Sequence, residues 1–402
     1  MIFSLEVLKA KHGDCLLLHF GSESKKRLAL IDGGPSGVFS NSLQPRLLAI
    51  KDALQLDQLP LDFVMVSHID DDHINGIAAL TSYLVQQKDD HKPLPYYIKN
   101  LWYNSFDNII GNDELLLTKK SKNVGAVAND IGSGSIAGID KLPADIAAIV
   151  TSVTQGRKLM KNAASLALAV NKQFAPMSGS PASMVRGDAN SRAIDFEGLA
   201  IKVIHPNQQR LQGLQQEWNK ELKKAAEKGD DTVVFASVAK LLTDSDKSPY
   251  NLSSIVCLLQ LNNKTILLTG DARMDDIEAG LVNNQLLNAQ GKLHVNIFKM
   301  PHHGSIRSSN ASLLQKVTAD HYVISADGSY DNPDTLLLDL LAEHIKPGAT
   351  LHMTYPEGKK ELGEKIASFR NLLSEKGIEL NLDFPAPRQS SLMIDLGTPV
   401  TY

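Results

Sequence analysis

The sequence predicts a layered α/β fold. In the first hundred residues, short apolar runs alternate with a segment of helical spacing, and this alternation is typical of sheets covered by helices. Each apolar run also ends at a glycine or polar cluster, such as Asp32-Gly33-Gly34 or Ser67-His68. Strand ends of this kind are common places for functional residues in layered folds.

The expected elements follow in order along the chain. Apolar runs predict strands at 2–9, 15–20, 28–31, 63–66, 200–204, 254–261, 265–269, 295–300, 321–325 and 350–354, and a last strand pair at 379–383 and 391–396. Helical spacing predicts helices at 45–56, from about Ile74, at 310–317, at 335–344 and at 361–376, with Gly377 as the stop of the last one.

Two segments interrupt the alternation. Residues 106–195 contain a Gly/Ser cluster at 132–138 and Ala-rich helical stretches near 144–175. The cluster lacks the Lys-Ser/Thr of a P-loop and is expected to be a flexible connector. Residues 207–231 begin the second segment, as either a solvated surface helix or a substrate lid. We expect one domain over 1–402, with insertions at about 106–195 and 207–250 and a C-terminal α/β extension at about 345–402.

Composition excludes several classes of protein. Hydrophobic residues make up 43% of the chain and charged residues 21%, which excludes a disordered or collagenous chain. With 41 Lys and Arg against 45 Asp and Glu, the net charge is −4. No global basic field exists to hold polyanions, so a nucleic acid would have to bind locally.

Cysteine use and hydropathy indicate a cytoplasmic protein. Cys15 and Cys257 lie in apolar runs, where buried free thiols are usual, so a disulfide framework and a cysteine-based zinc site are excluded. Charged residues interrupt the N-terminal apolar run too early for a secretory signal. No run approaches the roughly 18 apolar residues of a membrane span.

The most informative segment is 68–73, where an apolar strand delivers His68, Asp70, Asp72 and His73. Carboxylates packed this closely repel one another and imidazoles need partners, so a divalent metal would stabilise the group. The alternative is a turn in which Asp72 caps a helix beginning near Ile74. Capping does not explain why histidines flank the acids, and the segment predicts one or two metal ions.

Later strand ends supply further candidate ligands. His205 follows the strand at 200–204, Asp271 follows the one at 265–269, and His302 and His303 follow the one at 295–300. A single histidine or aspartate at a strand end is weak evidence. Several such ends in one chain predict that they meet at one edge of the fold.

These residues resemble the successive motifs of the metallo-β-lactamase fold. The motifs are His68-x-Asp70-x-Asp72-His73, Thr269-Gly270-Asp271 and His302-His303-Gly304-Ser305, over about 1–104 and 196–340. Asp70 replaces the usual second histidine, as in the ComEC-like hydrolase branch of that fold. Lys11-His12-Gly13-Asp14 and Asp32-Gly33-Gly34 resemble further loops of this branch.

The resemblance implies an αββα sandwich with a two-metal site at one edge. By analogy, His68, Asp70 and His205 hold one ion, Asp72, His73 and His302 hold the other, and Asp271 bridges them. His205 is alternatively a buried or capping residue. His303 is then left to contact substrate or shuttle protons, Asp72 accepts a proton from the bridging water, and Asp14 and Asp32 orient ligand imidazoles.

Substrate contacts are expected next to the metal ligands. Ser305, Arg307 and the amides of a helix at 310–317 would suit an anionic phosphate, although a helix cap with a solvated arginine is equally consistent with the pattern. Asn251 resembles a further residue of the pocket. Asn332-Pro333 stands where the branch usually has His-Pro, so no proton donor is assigned there.

The sequence therefore predicts a hydrolase with two divalent cations, Zn²⁺ or Mn²⁺, that acts on a phosphodiester through a bridging hydroxide. Nucleic acids or nucleotides are the favoured substrates. The same site could open lactones, β-lactams or thioesters, and a catalytically silent binding module is a third hypothesis. A protein partner could bind through the insertions, and the oligomeric state stays open.

Overall fold

The computed structural model describes residues 1–105, 108–109, 144–176, 183–189, 191–228, 251–306 and 311–402. The strands are β1 Ile2–Leu8, β2 Leu16–Ser22, β3 Lys25–Ile31, β4 Leu59–Leu61, β5 Val64–Met65, β6 Tyr96–Ile98, β7 Leu101–Trp102, β8 Ile194–Phe196, β9 Leu199–His205, β10 Val256–Leu261, β11 Lys264–Leu268, β12 Leu293–Lys299, β13 Val317–Ile324, β14 Ala349–Met353, β15 Leu380–Asp383 and β16 Ser391–Asp395. The helices are α1 Gln44–Ala53, α2 Asp71–Asp89, α3 Ala144–Ser165, α4 Gln208–Lys228, α5 Met274–Asn283, α6 Ala311–Lys316, α7 Thr335–His344 and α8 Leu362–Lys376.

Two large sheets form the centre of the fold. The first has the order β16-β1-β2-β3-β5-β7 and the second has the order β15-β14-β13-β12-β11-β10-β9-β8. Neighbours β3, β5 and β7 are parallel, as are β11 through β15. Parallel strands place their carboxyl ends at the same edge of a sheet, so each sheet has an edge at which loops converge.

Side-chain alternation divides the core into layers. Along β1, Leu5 and Val7 pack between the two sheets, together with Ile201 and Cys257 of the second sheet. A separate core lies between the first sheet and α1, α2 and α3. A third lies between the second sheet and the helices α5 to α8. This αββα layering confirms the predicted fold class.

Most expected elements are found within a few residues of their predicted bounds, and two differ. Helix α2 begins at Asp71, three residues before the expected start at Ile74. The last two strands do not pair, because β15 adds to β14 in the second sheet and β16 adds to β1 in the first. The Gly/Ser cluster at 132–138 lies outside the described residues. Among the described helices, none is long and apolar enough to cross a bilayer.

A buried polar network fastens the C-terminal segment to the first sheet. The carboxylate of Glu6, which is 1% exposed, lies 2.9 Å from His19 Nε2 and accepts hydrogen bonds from Arg46 of α1 and from Ser391. The other ring nitrogen of His19 lies 2.6 Å from the Tyr402 hydroxyl. Burial by itself would raise the pKa of Glu6, but His19 and Arg46 outweigh it and lower this pKa to about 2.

Replacing Glu6 should change the acid stability of the protein. Because the folded-state pKa lies below the ordinary value of 4.5, ionised Glu6 stabilises the fold above pH 4.5, by about 3 kcal/mol. This stability is lost as the pH falls towards 2. In urea titrations, we expect the difference in unfolding free energy between the wild type and Glu6→Gln to become smaller as the pH falls from 4.5 towards 2. The exposed Glu375→Gln is the control, and a gap that is constant with pH would contradict the prediction.

Candidate metal centre

The converging loops of the two sheets build one cluster of imidazoles and carboxylates. The loop after β5 and the first turn of α2 carry His68, Asp70, Asp72 and His73. Asp271 follows β11, and His302 and His303 follow β12. Asp70 and Asp72 lie at its rim, with side chains 32% and 20% exposed, whereas the imidazole of His73 is buried.

Glycines allow the loops to approach α2 closely enough to place the motif. A Cβ added to Gly76 would lie 1.9 Å from the carbonyl oxygen of Gly33, and one added to Gly13 would lie 2.0 Å from that of Asp72. No larger residue fits at either contact. The loops that carry Asp14 and Asp32 are therefore held directly against the first turns of α2.

The acids of the motif are not used to cap the helix. Asp70 is the N-cap of α2, and its side chain makes no capping hydrogen bond. Asp72 lies inside the first turn, with its carboxylate 3.3 Å from His303 Nε2 and 3.8 Å from His73 Nε2. The capping alternative considered for Asp72 does not describe this arrangement.

Asp271 divides the cluster into two groups of donors. Its Oδ1 lies 3.2 Å from His73 Nε2 and 3.5 Å from His303 Nε2. Its Oδ2 lies 3.7 Å from both His68 Nε2 and His302 Nε2. The backbone N–H of Asp271 donates to Ser254 Oγ at 3.0 Å, which holds the residue in place. One carboxylate thus faces two pairs of imidazoles, one pair on each oxygen.

A left-handed turn directs the two neighbouring histidines to different oxygens of Asp271. His302, His303 and Gly304 have φ values of 49°, 53° and 85°, in a region that non-glycine residues rarely adopt. The imidazole planes of the two histidines are 81° apart. Such strain persists where surrounding contacts enforce it and is frequent at functional sites.

Hydrogen bonds behind the imidazoles determine which nitrogen faces the centre. Asp32 accepts from His73 Nδ1 at 2.9 Å, and the carbonyl of Ser325 accepts from His303 Nδ1 at 3.0 Å. Asp32 also accepts from the backbone N–H and the hydroxyl of Ser67, both at 2.7 Å. With Nδ1 donating in both rings, the Nε2 atoms of His73 and His303 point towards the centre and lie 3.1 Å apart.

This donor set fits divalent cations. Two overlapping groups of ligand atoms lie within 4.8 Å of one another: Asp14, His73, Asp271 and His303, and His68, Asp72 and His73. Within the described residues, His68 Nε2 and Asp271 Oδ1 are buried without a hydrogen-bond partner. Imidazole nitrogens and carboxylate oxygens are the ligands that Zn²⁺ and Mn²⁺ take in proteins, and backing hydrogen bonds such as those of Asp32 are usual behind them.

Residues 10–136 match the family model of the metallo-beta-lactamase superfamily. The matched range contains the 68–73 motif and the loops of Asp14 and Asp32, and it ends before Asp271, His302 and His303. No curated protein matches the chain. The superfamily match agrees with the αββα sandwich and with the metal-binding cluster, whereas the resemblance to the ComEC-like branch stays a prediction.

The charge balance of the cluster also favours cations. Desolvation, followed by repulsion from Asp72 and Asp271, raises the pKa of Asp70 to about 8. Burial lowers the pKa of His73 and His303, but Asp271 and other carboxylates outweigh it and raise both well above the ordinary value. A cavity that attracts protons this strongly attracts metal ions by the same field.

A buried ion pair between Lys299 and Asp14 lies next to the cluster. Lys299, the last residue of β12, is 1% exposed, and its ammonium lies 2.7 Å from Asp14 Oδ2. Asp14 Oδ1 lies 3.6 Å from His303 Nδ1. Burial would raise the pKa of Asp14, but Lys299 and then His303 hold it below its usual range. Asp14 is therefore an ion-paired carboxylate beside an imidazole, and its orienting role stays a prediction.

His205 is in neither of the two sets of candidate ligand atoms found among the described residues. Its Nδ1 donates to the carbonyl of Ser254 at 2.9 Å, and its Nε2 has no hydrogen-bond partner within the described chain. Its ring lines a cavity with Arg210 and Asp276. Burial lowers the pKa of His205, against the opposing charge of Asp276. Within the described residues, His205 belongs to neither group of candidate ligands, and its ligand role stays a prediction.

The expected substrate contacts are placed in part. Asn251 and Ser305 are buried, at 5% and 6% exposure, in the loops that precede β10 and follow the His302-His303 turn. Arg307 lies outside the described residues. Helix α6 spans only Ala311–Lys316, so its short dipole gives little support to the anion site expected there.

Sequence reasoning missed Lys299, Ser67 and Ser254. A lysine at the end of an apolar strand, directly before Met300-Pro301-His302, is the one signal that could have indicated a buried cation. The two serines carry no signal, because their partners Asp32 and Asp271 are distant in the sequence.

Removing the Lys299 ammonium should destabilise the fold. In Lys299→Met the charge of Asp14 stays buried without its partner, and breaking a buried pair in this way costs about 3–5 kcal/mol. Urea unfolding should show this loss, and the double variant Asp14→Asn/Lys299→Met should recover part of it. The control is Lys292→Met, an exposed lysine directly before the same strand. Equal losses in Lys299→Met and Lys292→Met would refute the role of the pair.

Proposed function

We propose that this protein is a dinuclear metal-dependent hydrolase that acts on phosphodiesters. The observation that carries the proposal is that the two carboxylate oxygens of Asp271 face separate pairs of imidazoles. A carboxylate placed in this way is suited to bridge two cations. The match of residues 10–136 to the metallo-beta-lactamase superfamily supports the same conclusion.

The distances favour a ligand set that differs from the expected one at two positions. Around Asp271 Oδ2 we assign His68, Asp70 and His302, and around Oδ1 we assign Asp72, His73 and His303. His303 thus takes the place expected for His302, because its Nε2 is within 3.5 Å of both Asp72 and Asp271. His302 takes the place expected for His205.

When bound, two divalent cations lower the pKa of water and stabilise negative charge on the oxygens of the substrate. The protein supplies the rest of the chemistry. Asp32 and Ser325 hold the His73 and His303 rings with Nε2 facing inwards. Asp72, at the rim and partly exposed, is placed to accept a proton from a water that enters the cleft.

The charge of the loaded centre does not choose between the substrate classes. Two divalent cations would carry four positive charges, and Asp70, Asp72, Asp271 and a bound hydroxide would carry four negative ones. Asp14 is already paired with Lys299. The preference for a phosphodiester comes from the two-cation arrangement itself, which would stabilise the charge on both the attacking and the leaving oxygen of a displacement at phosphorus.

Metal content and substrate preference test this function directly. We expect mass spectrometry to find about two metal ions per chain, and titration with Mn²⁺ or Zn²⁺ to restore hydrolysis of bis-p-nitrophenyl phosphate after EDTA treatment. Nitrocefin and an acyl lactone should be poor substrates. The opposite preference would establish a carbonyl hydrolase, and protein that neither binds metal nor is stabilised by it would indicate a binding module.

Two substitutions in the first turn of α2 test whether the metal centre carries out the hydrolysis. Asp72→Ala and His73→Ala should lose at least about a thousandfold in kcat, because each removes a donor from the centre. The exposed residues Asp57 and His91 provide control substitutions to alanine that should leave kcat unchanged. Circular dichroism confirms folding, and turnover retained in either test variant would contradict the two-metal mechanism.

Metal stoichiometry distinguishes the two ligand assignments. His302→Ala and His303→Ala should each bind metal at least about tenfold more weakly at one site, because each loses a nitrogen donor. His205→Ala should keep two tightly bound ions, because its ring lies with Arg210 and Asp276. Loss of one ion in His205→Ala would restore the assignment expected from the sequence.

A further inference from the structure

A cationic groove lies beside the metal centre. It encloses about 300 Å³, and its lining includes Lys9, Lys11, Arg388 and Tyr355. The other described residues along it are neutral, so no carboxylate of the described chain lines it. A groove of this composition is unexpected in a protein whose net charge is −4, and its positive field is local.

Neutral groups of the described chain position the lysines of the groove. Lys11 Nζ donates to the carbonyl of Ser36 at 2.7 Å, which uses one of its three N–H groups. Lys9 Nζ lies 5.8 Å from the centre of the Tyr355 ring, and the Tyr355 hydroxyl accepts from the backbone N–H of Lys11 at 3.0 Å. These lysines are held in place while N–H donors stay available for an anion.

The two loops that form the floor of the groove also carry carboxylates of the metal centre. Lys11 lies three residues before Asp14, so their Cα atoms are at most about 11 Å apart. Gly37, in the other loop, lies five residues after Asp32. Two short stretches of chain, from Lys11 to Asp14 and from Asp32 to Gly37, therefore join the groove to the metal centre.

An exposed aromatic ring contacts the loop that carries Lys11. Tyr330 is 78% exposed, and its ring packs edge to face against His12 at 5.3 Å. His12 lies between Lys11 of the groove and Gly13, where an added Cβ would lie 2.0 Å from the Asp72 carbonyl oxygen. Large exposed aromatic rings beside cationic grooves are typical stacking platforms for the bases of single-stranded nucleic acids.

We propose that this groove binds phosphates on one side of the scissile bond, and that the substrate is a single-stranded oligonucleotide with one base stacked on Tyr330. Lys9, Lys11 and Arg388 neutralise the flanking phosphates. The inference rests on the proposed phosphodiesterase function and adds a binding subsite to it. A small diester reaches only the metal centre, whereas an oligonucleotide engages both.

The test compares charge removal inside and outside the groove. The groove variant is Lys9→Gln/Lys11→Gln/Arg388→Gln. The control variant, Lys264→Gln/Lys292→Gln/Arg370→Gln, removes the same charges from positions that do not line the groove. Affinity for a fluorescein-labelled thymidine 12-mer is measured by anisotropy in EDTA at several salt concentrations, and cleavage of the 12-mer and of bis-p-nitrophenyl phosphate is measured with metal.

The groove variant should bind the 12-mer at least about tenfold more weakly in low salt. Its slope of log affinity against log salt should fall by about 2, because each phosphate contact to a single strand contributes about 0.7. The ratio of kcat/KM for the 12-mer to kcat/KM for the small diester should fall by about the same factor as the affinity for the 12-mer. Tyr330→Ala should weaken binding about tenfold, whereas Tyr97→Ala, at an exposed ring outside the groove, should not.

The binding measurements test the groove, and the hydrolysis measurements test the proposed function. Equal affinities and slopes in the groove and control variants would overturn the subsite, even if the small diester is hydrolysed. Tighter binding of a duplex than of the single strand would overturn the assigned substrate. Failure to hydrolyse either substrate with metal would refute the phosphodiesterase function, while the anisotropy measurements in EDTA still test the groove.

Discussion

The concentration of negative charge at the seam between the two sheets is the constraint on which this structure depends. Asp70, Asp72 and Asp271 approach the same imidazoles, and desolvation together with repulsion from Asp72 and Asp271 raises the pKa of Asp70 to about 8. Carboxylates of this density are costly to assemble without cations. The fold keeps them together because the start of α2, which carries Asp70 and Asp72, meets the loop after β11, which carries Asp271.

Support for the cluster comes from groups that do not face a substrate. Asp32 and Ser325 fix the tautomers of His73 and His303, and Lys299 balances Asp14 in the layer beneath. The close contact between Gly33 and Gly76 presses the first turn of α2 against the first sheet. Since donor atoms must be placed within a fraction of an ångström to hold a metal, these contacts are as much part of the centre as its ligands.

The same loops connect the centre to its surroundings. The segment 9–14 begins at a lysine of the cationic groove and ends at Asp14, and His12 in its middle contacts the exposed ring of Tyr330. A few residues of backbone thus connect the groove with the cluster of imidazoles and carboxylates. The C-terminal segment contributes to this arrangement, because Tyr355 and Arg388 belong to it and β16 completes the first sheet.

The sequence by itself determined the α/β class, most strand positions and the core of the site at His68, Asp70, Asp72, His73 and Asp271. These features are local, since apolar periodicity and ligand spacing can be read within a dozen residues. Only the tertiary structure shows that His302 and His303 face different oxygens of Asp271, because a left-handed turn sets the direction of each ring. It also places His205 in a cavity with Arg210 and Asp276 and pairs Lys299 with Asp14, since contacts between distant segments leave no pattern in either one.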